Sequence, residues 1–325
     1  MSEPLLRVLQ LSKHFPIRGG VFRRTVAEVH AVDEVSFDIY PGETLGLVGE
    51  SGCGKSTIGK TLLQLLGRFD GEIWFQGQPL HSLSSNAIKD LRKDIQIVFQ
   101  DPMESLNPRH TVAEIIEEPL IIHRQGDSVS RRQKVIQLAE RVGLSASALE
   151  RYPHEFSGGQ RQRIGIARAI ALDPRLIICD EPVSALDVSI QSQILNLLLE
   201  LQSDLNIALL FISHDLAVVK HISHRIAVMY LGNIVEIADA GTLYLQPRHP
   251  YTRSLIDAIP KPYPGLTKER QLLPGEPPSP IHPPAACRFH PRCPMAQVKC
   301  REIAPEIEKV SDNHQVACHF WRETL

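Results

Sequence analysis

The sequence predicts an α/β fold with a largely parallel sheet, and three observations carry that prediction. Short aliphatic and β-branched runs alternate with helical stretches. Two of those runs end in glycine-rich or acidic loops, as strands do at the carboxyl edge of a parallel sheet. A helix-patterned segment from about Pro102 to Ala171 lies between two strands, too long for an ordinary crossover, and reads as an inserted helical subdomain.

The strands expected from these patterns are Thr44–Val48, Ile95–Phe99, Leu176–Cys179, Ala208–Ile212 and Ile226–Tyr230. Prolines crowd between Pro260 and Pro284, so that stretch is expected to be extended. It leads into a segment holding four of the six cysteines. The domain boundaries expected are 1–250 for the α/β domain, with the helical insertion at about 102–171, and 251–325 for a C-terminal extension. No internal repeat is evident.

Composition limits the function. A chain of 325 residues with 43% hydrophobic and 22% charged residues can bury a core. A net charge of −2 offers no basic excess for neutralising nucleic-acid phosphates, so no nucleic-acid partner is expected. No apolar run approaches the roughly 20 residues that span a bilayer. The opening MSEPLLRVLQ lacks the charged-then-apolar order of a signal peptide, so a cytoplasmic location is expected. Any work at a membrane then falls to a partner.

The run Gly49-Glu50-Ser51-Gly52-Cys53-Gly54-Lys55-Ser56, with Thr57 next, has two glycines followed by Lys and Ser in the spacing of a phosphate-binding loop. The apolar TLGLVG before it and the helix-like STIGKTLLQLL after it supply the required strand, loop and helix. Glycines let backbone N–H groups curl around a phosphate, and the helix N-terminus adds partial positive charge. Lys55 is expected on the β- and γ-phosphates of ATP and Ser56 on Mg²⁺. Later, LIICDE ends an apolar strand in two carboxylates. Asp180 is expected to hold Mg²⁺ through its water shell. Glu181 is expected to be the general base for the attacking water, a role worth about 10²–10⁴-fold.

Phe156-Ser157-Gly158-Gly159-Gln160, followed by RQRIGIARAI, resembles the signature motif of ATP-binding-cassette proteins, whose common form has Leu where Phe156 stands. Ser157, Gly158 and Gly159 offer a hydroxyl and unhindered N–H groups at a helix start, a second anion site. Two phosphate cradles on distant segments suit a head-to-tail pair of chains, each signature loop capping the other's ATP. The resemblance implies an antiparallel β subdomain beside the core and roles for further residues. Gln100 would sense γ-phosphate and Mg²⁺, Asp187 in SALD would cross the dimer interface, and His214 would contact the γ-phosphate. Phe15 would stack on adenine. The fifteen or so residues after Phe15 (PIRGGVFRRTVAEVH, with Arg18, Arg23 and Arg24) are expected to form a solvated loop.

Asn107-Pro108-Arg109, PRHPYTRSL and PGEPPSP resemble the dipeptide/oligopeptide importer branch of that family, above all the second ATPase subunit of a dipeptide importer. The resemblance implies a paralogous ATPase partner, two transmembrane permease subunits and, indirectly, an extracytoplasmic substrate-binding protein. It places the chain peripherally on the cytoplasmic face of the membrane. Peptides are the implied cargo, with glutathione, opines, sugars or nickel as alternatives within the branch. A soluble cassette ATPase without a transport role is the rival reading.

Cys287, Cys293, Cys300 and Cys318 are spaced C-x₅-C-x₆-C-x₁₇-C. Disulfides are disfavoured in a cytoplasmic chain, and four thiolates suit structural zinc or an iron–sulfur cluster. The spacings exceed those of most zinc ribbons, and the resemblance implies a [4Fe–4S] cluster, with zinc as the alternative. His290, His314 and His319 rank below the cysteines as ligands. A Pro-rich tail needs a staple to fold, so the expected role is structural. Cys53 and Cys179 are expected to be packing residues.

Overall fold

The computed structural model describes residues 3–20, 24–259 and 275–323. Most of the proline run, 260–274, therefore lies outside the described residues. Two compact units divide the chain: one holds residues 1–5, 39–44 and 80–212, the other 6–38, 45–79 and 213–325.

In the first unit, strands Ile95–Val98, Leu176–Asp180 and Ala208–Ser213 run parallel, with Ile177 beside Gln96 on one side and Leu209 on the other. Every residue of Leu176–Asp180 and of Ala208–Ser213 is buried. That uninterrupted apolar run is what a strand covered on both faces requires. The helical segment comprises Pro102–Ser105, Val112–Ile122, Ser128–Arg141 and Gly158–Ile170. Its helices start where a side chain can satisfy the first free N–H groups. Thr111 and Glu114 form a reciprocal capping box, and Asp127 accepts from Ser130 N–H at 2.8 Å. Helix Val188–Leu205 buries Ile194, Leu195, Leu197, Leu198 and Leu201, a stripe at helical spacing, and ends at Asn206 in the left-handed conformation.

In the second unit, Leu6–Gly19, Arg24–Ile39, Asp70–Phe75 and Gln78–Pro79 form a four-stranded sheet. Leu6–Gly19 pairs antiparallel with Asp70–Phe75, and the latter antiparallel with Gln78–Pro79. This corrects the loop expected after Phe15. Residues 16–19 continue strand Leu6–Gly19, and residues 24–30 begin strand Arg24–Ile39. Gly20 turns at φ 71°, and the β-branched residues Thr25, Val26, Val29, Val32 and Val35 favour extended backbone. Arg18 and Arg24 are exposed on this pair of strands; Arg23 lies outside the described residues.

The same unit carries strand Thr44–Val48, parallel to Arg225–Tyr230, which turns antiparallel into Asn233–Asp239. Leu231 and Gly232, both at positive φ, make the two-residue turn. The C-terminal extension then adds two strands. His314–Val316 pairs with Asn233–Asp239, and Glu308–Ser311 pairs with His314–Val316. Strand addition, ion pairs and aromatic packing thus hold the extension, beside whatever its cysteines contribute.

Candidate nucleotide site

Residues 49–54 form a loop that only glycine could build at two of its positions. A Cβ on Gly49 would lie 2.1 Å from Met229 O, and one on Gly54, at φ 108°, would lie 2.0 Å from Ala31 O. Gly54 is also the N-cap of helix Lys55–Leu62, and no side chain caps it. A helix start with no side-chain cap suits an anion. Lys55, buried, curls back so that Nζ donates to Gly49 O at 2.8 Å and Glu50 O at 3.0 Å. Uncapped amides, a folded-back ammonium and a glycine-lined cradle fit a triphosphate. Ser56 and Thr57 follow Lys55 in the helix's first turn, Thr57 O accepting from Thr61 Oγ1. Cys53 is buried, and burial pushes its thiol pKa up against the pull of Lys55, which fits a packing residue. Ser51 and Gly52 are exposed at the loop's crest.

Phe15 sits half-buried on strand Leu6–Gly19, with Lys13 Nζ 5.0 Å from its ring centre. His214 is exposed after Ser213 and before helix Leu216–Ile222, whose first N–H groups Asp215 caps. Both belong to the unit that holds the phosphate loop.

The first unit gathers the acidic pair and the signature. Asp180, almost fully buried, ends its strand, and Glu181 follows at φ 47°, a conformation uncommon for a side chain of that size. Glu181 N–H donates to Ile212 O at 3.0 Å, which fixes the backbone. Gln100 Nε2 donates to Glu181 Oε2 at 3.2 Å, so two of the predicted residues from segments 81 apart share one spot. Ser157 caps helix Gly158–Ile170, and Gln160 returns the bond by accepting from Ser157 N–H. A Cβ on Gly159 would meet Ile190 Cγ2 at 2.4 Å, and Gly158 lies against Leu186. The signature helix start therefore packs closely on the segment carrying Asp187. That residue precedes helix Val188–Leu205 without a side-chain cap bond, and Gln191 Nε2 braces the loop by donating to Val183 O and Leu186 O.

Burial raises the thiol pKa of Cys287, and burial together with the charges of neighbouring cysteines raises that of Cys293 to about 11 and Cys318 to about 12. Thiols so placed keep their protons unless a cation draws them out. No three of them converge within 4.8 Å among the described residues. Around a single zinc, bonds of about 2.3 Å would hold the sulfurs about 3.8 Å apart. As they stand, the four thiols form no ready cage. The lower-ranked histidines are engaged: His314 with Glu236, His319 with Ile303 O, and His290 with Cys287 O. Cys179 is fully buried, and burial lifts its pKa to about 12.

The convergence that does occur is His14, His30 and Asp33. Asp33 accepts from Arg288 and bonds both histidines, at 2.8 and 3.2 Å, and the Arg288 and His14 contacts hold its carboxyl low against the upward push of burial. A fixed guanidinium already supplies the positive charge there. Sequence reasoning passed over Asp33, Tyr230, Arg288 and Arg292 because the pairs Asp33–Arg288, Tyr230–Arg292 and Glu50–Arg292 join residues 255, 62 and 242 apart in the chain. No local spacing or motif sets any of them apart.

Comparison with known proteins gives the family. The ABC transporter family profile matches residues 32–184, and the profile for the oligopeptide/dipeptide transporter C-terminal region matches 235–300. The oligopeptide transport ATP-binding protein AppF of Bacillus subtilis is 53% identical over 98% of both chains. The glutathione import ATP-binding protein GsiA of Pectobacterium atrosepticum is 56% identical over 86% of this chain and 45% of its own length. Among solved structures, the dimeric post-hydrolysis form of the cassette MJ0796 with ADP and Pi superposes with a TM-score of 0.64 at 27% identity, covering 72% of this chain and 98% of that one. The chain belongs to the ATP-binding-cassette transporter family, in the branch with the oligopeptide/dipeptide C-terminal region. It is an ATP hydrolase whose turnover is coupled to transport, and the ATPase class implies ATP and Mg²⁺.

Proposed function

We propose that this chain drives peptide uptake, as one of two ATPase subunits closing head to tail around ATP beneath a pair of transmembrane permease subunits. The observation that carries the reading is the likeness to AppF over almost the whole chain, extension included. No helix among the described residues is long and apolar enough to cross a membrane. The likeness to transport ATP-binding proteins supports a peripheral place on the cytoplasmic face. A paralogous ATPase would be its partner, with an extracytoplasmic binding protein choosing the cargo.

In this reading Gly49–Thr57 cradle the phosphates, and Phe15 stacks on adenine. Ser56, Gln100 and Asp180 are the residues that would hold Mg²⁺, which would neutralise charge on the phosphate oxygens. Glu181 takes the proton of the attacking water, Gln100 orients Glu181, and His214 holds the γ-phosphate. Ser157–Gln160 and Asp187 serve the partner's nucleotide. The MJ0796 dimer with ADP and Pi supports pairing of this kind. Uptake of labelled di- and oligopeptides by cells lacking and regaining this gene tests the cargo. Loss and recovery of peptide uptake is expected; unchanged peptide uptake with lost glutathione uptake would move the assignment to the cargo named for GsiA.

For the tail we propose a [4Fe–4S] cluster on Cys287, Cys293, Cys300 and Cys318. What supports it is their spacing and the family resemblance. Iron and acid-labile sulfide in anaerobically purified protein are expected. Zinc alone, or no metal, would remove the proposal.

A further inference from the structure

Glu50 is a carboxylate inside a loop built for anions, where an unpaired negative charge would repel the ligand. The C-terminal region answers it twice. Arg292 donates from Nη1 to Glu50 Oε2 at 2.8 Å and from Nη2 to Oε1 at 3.1 Å, a two-pronged pair with Arg292 only 7% exposed. Tyr251 Oη accepts from Glu50 N–H at 3.0 Å, and Tyr251 is fully buried. These groups are held by packing. Tyr230 meets Tyr251 and Phe289 edge to face with centres 4.7 and 5.1 Å away, Tyr251 and Phe289 lie tilted at 5.4 Å, and Arg292 also reaches Tyr230 Oη. Arg288, one residue before Phe289, donates to Leu231 O and Asp33 and anchors the other side of the turn. A cavity of about 730 Å³ opens under residues 304–307 beside these contacts, so the extension is joined here by discrete contacts and not by one continuous packed face.

We propose that the C-terminal extension braces the phosphate loop, with Arg292 and Tyr251 as positioning residues for ATP binding. Arg292 neutralises Glu50 and fixes its side chain; Tyr251 fixes its backbone. A glycine-rich loop loses much freedom on binding, and holding Glu50 beforehand lowers that loss. This inference rests on the assignment of residues 49–56 to phosphate.

The test is the equilibrium affinity of the purified full chain for ATPγS. Arg292→Met is expected to weaken it about tenfold, equal to about 1.4 kcal/mol. The double variant Arg292→Met/Glu50→Gln, which removes both charges, is expected to return to within about threefold of the parent. A merely structural arginine would give no such rescue. Affinity within twofold of the parent in Arg292→Met, or additive losses in the double variant, would overturn the brace. Should Arg292→Met fail to fold, Tyr251→Phe decides: a threefold loss at unchanged melting temperature supports the brace, and no loss overturns it. Lys55→Ala separates the two readings. Binding undiminished in Lys55→Ala overturns the phosphate assignment and the brace with it, whereas binding that needs Lys55 but ignores Arg292 and Tyr251 overturns the brace alone.

Discussion

His314 Nε2 and Glu236 Oε1 lie 2.7 Å apart, both almost wholly buried, joining a strand of the extension to a strand of the cassette. Glu236 also accepts from the backbone N–H groups of Arg248 and His249, at 2.6 and 3.0 Å. One carboxylate therefore serves three donors. Glu236→Ala would leave them unmet in a dry site and is expected to cost about 3 kcal/mol, read by chemical denaturation. A loss below about 1 kcal/mol would mean that water replaces the carboxylate.

His249 gives a pH dependence. Burial holds its pKa down to about 4, against the opposing charge of Glu236, and its Nδ1 accepts from Tyr251 N–H. The unfolded chain takes up this proton near pH 6.5 and the folded chain only near 4. This contribution to stability is therefore complete above about pH 6.5 and lost as pH falls from there to about 4, to the extent of roughly 3 kcal/mol. Denaturation midpoints across that window measure it. His249→Asn, which keeps an acceptor for the helix start, is expected to flatten the slope.

Glu181→Gln should bind ATP as the parent does and lose at least about 10²-fold in turnover, measured by phosphate release. Full turnover in an assembly containing only this ATPase would remove Glu181 from the role of base.

Gly159 leaves no room for a methyl group unless Ile190 moves. Gly159→Ala is expected to destabilise the first unit by about 1–3 kcal/mol and to separate the signature from the Asp187 segment. Thermal denaturation checks the first effect, and impaired ATP-dependent dimerisation the second. A variant as stable as the parent would show that Ile190 can yield.

Legibility in the sequence followed the range of the interaction. Leu176–Asp180 could be read because an unbroken apolar run ending in acid fits little besides a buried strand at the sheet's carboxyl edge, and the strand stands one residue longer than expected. The phosphate loop could be read because its glycines, lysine and serine form a local spacing between an apolar strand and a helix. The extended strands after Phe15 could not, since a Gly-Gly pair and three arginines look like a loop until the neighbouring strand is in place. Arg292 was the most opaque. It meets Glu50 across 242 residues, and nothing local distinguishes it from any other arginine of the tail.

The strands that the extension adds have a further consequence, for solubility. His314–Val316 occupies the hydrogen-bonding edge of Asn233–Asp239, a strand buried at five of its seven positions. The new outer strand, Glu308–Ser311, is short and charged, which discourages pairing with other chains. A protein ending at Ile259 would present a bare apolar edge in its place. Such a truncation is expected to aggregate on expression, so the extension acts as a built-in guard against self-association of strands.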